Sequence, residues 1–299
     1  MRSWLILFAT LLLGTGVPGS AQACSQCICG MPFPADVLGG VIPKQVTFGV
    51  DEHYLSKVNA LDEGPGEEHE QEHRLAGIIL WRPTNRLALL GRMPYNFKQI
   101  RTRPVGARQS VERSRGLGDA ELLALVGLAH FAGSHAPTLG LVLGVAAPTG
   151  SNDALDNEGV RLDSHLQPGA GAWSGTGGVH FTALGNGGVW DASLLDRING
   201  RSSHGYRYGS SILYNVGITT REWKGVQLIG QLNGRSATRD RLENGSMGMN
   251  TGGTVLYAAP GVRWQSGIGV SLEAAVQIPV LQSLYGDQAE HVTVRIMLS

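Results

Sequence analysis

After Pro43 the chain falls into segments in which apolar and polar side chains take turns. The pattern is clearest near the C-terminus. Ile268, Val270, Leu272, Ala274, Val276, Ile278 and Val280 fall on one side, and Gly269, Ser271, Glu273, Ala275 and Gln277 on the other. Successive side chains of a strand point to opposite faces, so a period of two predicts a strand between an apolar and a polar phase. Val292, Val294, Ile296 and Leu298 alternate in the same way with His291, Thr293, Arg295 and Met297. So do Leu87, Leu89, Met93, Tyr95 and Phe97 with Arg86, Arg92, Asn96 and Lys98. The same reading places strands near 44–58, 72–83, 86–100, 117–131, 137–148, 165–182, 187–198, 204–217, 223–237, 250–264, 268–282 and 289–298.

The connections add a second period. Those after the even strands are tight, as at Thr84-Asn85, 132–136, 184–186, 218–222 and 265–267. Most of those after the odd strands are long and polar: 59–71, 101–116, 149–164 and 238–249. Short turns at one end and long loops at the other are the mark of a bacterial transmembrane barrel, with the short turns in the periplasm. The rival is a soluble β-sandwich or lipocalin-like barrel. Two features favour the membrane: strands longer than the usual five or six residues, and aromatics near strand ends, at Phe48, Tyr54, Trp81, Tyr95, Trp190, Tyr206, Trp223 and Trp264, where an interfacial girdle sits. Against it, the chain ends Met297-Leu298-Ser299, without the terminal aromatic common in such barrels. The fold expected is all-β: an antiparallel up-and-down transmembrane β-barrel of about 12 strands over residues 44–299.

Composition agrees. The chain has 43 glycines and 42% hydrophobic residues, too few for a helical membrane bundle. Its formal net charge of +0 argues against nucleic acid as a partner. The N-terminus changes the picture more. Arg2, the apolar run Trp4 to Leu13 and the small-x-small stretch Ala21-Gln22-Ala23 read as a cleaved signal peptide over 1–23. The run is too short for a membrane anchor. A segment 24–43 then precedes the barrel. The partners expected are outer-membrane lipid, the barrel-assembly machinery and a small solute, in a Gram-negative-type outer membrane.

With the polar phase inward, the lumen wall carries Arg74, Arg82, Arg86, Arg92, Lys98, Arg207, Arg235, Arg263 and Arg295, against Asp51, Asp119, Glu121 and Glu273. A charge in a narrow lumen must be paired or hydrated. This set predicts either an anion-leaning pore or a plug of paired charges. The residues before Lys44 are a second candidate plug.

Three stretches carry a family resemblance: Gly116-Leu117-Gly118-Asp119 opening a strand, Ala147-Pro148-Thr149-Gly150 ending one, and His165-Leu166-Gln167-Pro168-Gly169-Ala170-Gly171-Ala172-Trp173. Their order and spacing resemble the outer-membrane family labelled "putative MetA-pathway of phenol degradation". The resemblance implies a barrel, and passage of small hydrophobic or aromatic compounds in the manner of fatty-acid-type channels. It carries over no binding residue. Each stretch also has a structural reading. Asp119 can bond nearby backbone in a turn, and Pro148 leaves a strand where no ladder donor is needed.

Cys24, Cys27 and Cys29 open the mature chain. In an oxidising compartment Cys24 and Cys27 are the easier disulfide pair, and Cys24 is also placed for lipidation. The other reading is thiolate binding of Cu or Zn, with three ligands from one segment. Glu67, Glu68, His69, Glu70, Glu72 and His73 form a second cluster, read either as a solvated loop or as a cation site on His69 and His73 at the mouth. An outer-membrane enzyme of lipase or protease type, with His180, His204 and Ser210 as candidates, and a structural or adhesin-like barrel are the rival function classes.

Overall fold

The computed structural model describes residues 45–61, 65–130 and 137–299. The signal peptide expected over 1–23, the segment 24–43 and the three cysteines lie outside the described residues. The elements are strands β1 (Gln45–Ala60), β2 (Gly66–Thr84), β3 (Leu87–Pro104), β4 (Ser110–Leu117), β5 (Ala120–His130), β6 (Thr138–Ala147), β7 (Ser174–Gly185), β8 (Gly188–Asn199), β9 (Ser211–Thr220), β10 (Val226–Ala237), β11 (Gly253–Gln265), β12 (Ser271–Leu284), β13 (Gln288–Glu290) and β14 (Thr293–Leu298), with a 3-10 turn at Ser164–Leu166.

Neighbours in the chain pair antiparallel all the way round, and β1 pairs with both β2 and β14, so the sheet closes. β4 and β5 occupy successive parts of one wall position beside β3, and β13 and β14 do the same beside β1. The ring therefore has the twelve wall positions that the alternation predicts. Closure satisfies the strand backbones within the wall, which a hydrocarbon environment demands.

The apolar phase faces out. Leu122, Leu143, Leu194, Val216, Leu228, Leu232 and Ile278 are exposed large apolar residues spread over β5, β6, β8, β9, β10 and β12. Phe48, Trp81, Phe181, Trp190, Trp223 and Trp264 stand out at the short-turn end, and Phe97 near the long-loop end. Tyr206, expected with them, is buried inside at 4% exposure.

The structure moves several boundaries. The stretch 59–71, expected as a long loop, is mostly strand: β1 and β2 are in register from Ala60↔Glu67 to Gln45↔Arg82. The stretch 101–116 is likewise a hairpin, with Arg101↔Val111 and Thr102↔Ser110 paired. Conversely, 165–173 and 204–210, expected as strand, lie outside the ladder, which begins at Ser174 and Ser211. The barrel is thus tall on the β1–β4 side and low elsewhere. Above Leu117, β4 pairs with β3 alone among the described strands.

Candidate functional site

The lumen is built by side chains of the polar phase, and its charges are paired. A belt of ion pairs runs round the inner wall. Asp51 on β1 lies between Arg92 on β3 and Arg295 on β14, each at 2.8 Å. Arg197 on β8 meets Glu121 on β5 at 3.1 Å, and Arg263 on β11 meets Glu273 on β12 at 2.8 Å. Nearer the long loops, Lys57 pairs with Glu70 and Arg74 with Glu72, both at 2.6 Å, while Glu290 takes Arg235 and Tyr257. A buried charge robbed of its partner is costly, so each pair holds its neighbours in place.

Arg92, Glu121, Arg235, Arg263, Glu273 and Arg295 all point inward from the wall and take part in these pairs. Arg82 is buried at the short-turn end. Arg86 is exposed in the tight β2–β3 turn, where the wall has already ended. Arg207 lies in the segment between β8 and β9 and not on the wall. His53 was not anticipated. It is 1% exposed, has Arg74 and Arg295 as cross-strand neighbours, and neither ring nitrogen has a hydrogen-bond partner.

Beside the belt the inner wall is apolar. Leu80, Ala88, Leu90, Leu123, Leu125 and Val142 pack together with Leu195 and Leu213, and the cluster reaches Ala170, Tyr206 and Tyr208. The last three come from segments that fold into the barrel. The largest is a strap, residues 150–172. Leu162 and Leu166 pack on Ile100 of the inner wall. Lys98 Nζ donates to the His165 carbonyl at 2.9 Å, and Asn96 Nδ2 to the Pro168 carbonyl at 2.7 Å. Tyr208 donates to the Ser164 carbonyl at 2.6 Å. Tyr206 donates to Asp240, whose other oxygen accepts from the Gly209 amide at 2.7 Å. Burial, and then the neighbouring Asp240 carboxylate, push the Tyr206 phenol well above its usual pKa, so it remains a donor.

Asp119 holds the strap where it leaves the wall. One carboxylate oxygen accepts from the Gly150 amide at 3.0 Å and the other from the Ala170 amide at 2.7 Å. The Gly169 amide closes onto the Ser151 carbonyl at 2.8 Å, and Thr149 Oγ1 accepts from the Ala120 amide at 2.8 Å. Backbones cross here so closely that a Cβ on Gly169 would stand 2.7 Å from the Gly150 Cα. The three stretches that carry the family resemblance thus meet at one clasp. Asp119 bonds backbone remote in sequence, where a local turn was expected. Between strap and wall is a cavity of about 40 Å³ lined by Arg74, Arg92, Asn96, Asp119, Glu121, Pro168 and Arg197. That is room for water and not for a larger solute.

His69 and His73 face outward from β2, each bonded to one acid: His69 to Glu67 at 2.9 Å and His73 to Glu52 at 3.0 Å. Glu68, Glu70 and Glu72 alternate to the inner face. Among the described residues no three His, Cys, Asp or Glu side chains gather as a metal site. His180 bonds Thr182 and His204 bonds Asp153, so neither is aligned with a serine.

An outward apolar band, an inward charged belt and a strap folded into the mouth define a transmembrane β-barrel of outer-membrane type. The family described as "Putative MetA-pathway of phenol degradation" matches residues 82–280, more than half of the chain, and the chain belongs to it. The fold is similar to that of the COG4313 outer membrane channel from Pseudomonas putida F1, with a TM-score of 0.65 at 14% identity over 90% of this chain and 100% of that one. Weaker likenesses are to the β domain of the Bordetella autotransporter BrkA (TM-score 0.44, 12% identity, 85% and 98% covered) and to a Pseudomonas aeruginosa FadL homologue (0.42, 10%, 94% and 98%). No curated protein sequence matches the chain.

Proposed function

We propose that the chain is a narrow outer-membrane channel for the passive or facilitated passage of small solutes, with the strap 150–172 as its gate. The observation that carries this reading is the clasp. The strap is held in the mouth by hydrogen bonds at Asp119, Asn96, Lys98 and Ser114, outside the ladder that holds the wall. An element tied by a few side-chain bonds opens at far lower cost than a strand. The inner wall offers an apolar patch beside arginine–carboxylate pairs. That suits a compact solute with an apolar body and one polar or anionic end, such as an aromatic acid. The family's description points to the same chemistry.

Membrane lipid and the barrel-assembly machinery are the partners this reading requires, and no catalytic step is assigned. Uptake by liposomes holding the refolded mature protein tests it. Benzoate enters faster than into empty liposomes, while sucrose does not. Benzoate uptake equal to that of empty liposomes contradicts the reading.

A further inference from the structure

The tall side of the barrel carries a charge pattern on its outer face that solute passage does not use. Reading across β1 to β4, one outward row is Glu52, Leu75, Tyr95 and Leu117. The next rows toward the long loops are Tyr54, His73, Phe97 and Arg115, then Ser56, Gln71, Gln99 and Arg113, then Val58, His69, Arg101 and Val111. Each of these three upper rows carries one arginine, beside aromatic, neutral polar or valine side chains, and the one carboxylate of the lower row, Glu52, is bonded to His73. The aromatics mark the hydrocarbon boundary, so the arginines stand at headgroup level of the outer leaflet.

Arg113 donates to Gln99 at 2.8 Å, and Arg101 and Arg115 have no acidic partner among the described residues. The Arg101 Nε is buried without a hydrogen-bond acceptor. His73, Phe97, Gln99, Arg113 and Arg115 line an outward-facing cavity of about 550 Å³. Arginines without an acidic partner, standing above Phe97, Tyr95, Leu75 and Leu117, fit an amphiphile with acyl chains below and phosphate above. Guanidinium forks match phosphate bidentately.

We propose that this face is a binding site for a phosphorylated glycolipid of the outer leaflet, its phosphate held by Arg101, Arg113 and Arg115 and its acyl chains lying along Tyr95, Leu117 and Leu75. The plainer role for such arginines, keeping the free edge of β4 from pairing with another chain, makes no demand on phosphate.

The test is native mass spectrometry of the full mature protein in detergent, titrated with lipid A, with the same lipid stripped of its phosphates, or with inorganic phosphate. Lipid A binds the wild-type chain roughly tenfold or more tightly than it binds R101Q/R113Q/R115Q. The stripped lipid and inorganic phosphate bind both chains equally weakly. A variant altered at the opposite end, R221Q/K224Q, retains lipid A like wild type. Equal lipid A binding by wild type and the triple variant overturns the proposal. So does stripped lipid binding as tightly as lipid A, or inorganic phosphate binding as tightly as the lipid. Heat-modifiable gel mobility confirms that each variant is folded.

Discussion

Single residues decide whether the strap can sit in the mouth. Gly171 has φ +63, and a Cβ there would fall 1.6 Å from the Asn152 side-chain nitrogen. The backbone conformation alone costs an alanine about 1–2 kcal/mol, and the collision adds to it. Gly171→Ala therefore loosens the strap and leaves the barrel intact, seen as faster amide exchange over 150–172 with unchanged exchange in β9 to β12. Asp119→Ala removes a charged acceptor shared by two amides, each such bond contributing about 1.5–3 kcal/mol. Fast exchange at Gly150 and Ala170 is the expected result. The sequence showed Asp119 as a turn residue because its partners lie 31 and 51 positions away. A separation of that size leaves no local pattern, and only the family resemblance drew the three stretches together. Tyr206 misled for a related reason. An aromatic at the end of an alternating run looks the same whether it faces lipid or lumen.

At the scale of elements, the belt is a unit. Asp51 serves two arginines, so Asp51→Asn leaves Arg92 and Arg295 without their acid. Removing one partner of a buried pair costs about 3–5 kcal/mol, less where lumen water reaches. Denaturant unfolding in detergent reads the loss, and a reversal potential moved toward anion selectivity reads the freed charge. The strands themselves were legible wherever one face was apolar. They were not legible where both faces are polar. The stretch 59–71 looked like a loop, yet Glu70 and, just beyond it, Glu72 point inward to Lys57 and Arg74 while Glu67 and His69 face outward. The hairpin of β3 and β4 was hidden in the same way by Arg101, Arg103, Arg113 and Arg115. The converse error came from Tyr206 and Tyr208, which alternate with Arg207 like a strand but are buried in a segment that crosses the mouth.

At the scale of the molecule, the barrel is inside-out relative to a soluble one, with its ion pairs inward and a band of large apolar side chains outward. Leu143 lies mid-strand on β6 and is 50% exposed. Leu143→Arg costs about 2–4 kcal/mol in a bilayer, read by unfolding from lipid vesicles, whereas the same change in a soluble sandwich would be tolerated on the surface. The central claim is that the strap closes an otherwise passable lumen. Ser151 and Gly169 are joined by a backbone hydrogen bond of 2.8 Å, so residues 152–168 can be replaced by a short Gly-Ser turn while Asp119 keeps both its amides. Single-channel recording in planar bilayers compares that variant with the full mature chain. The account predicts brief, small openings for the full chain and a steady, larger open level for the shortened one. The same closed current from both, with both shown to be folded and inserted, would contradict it.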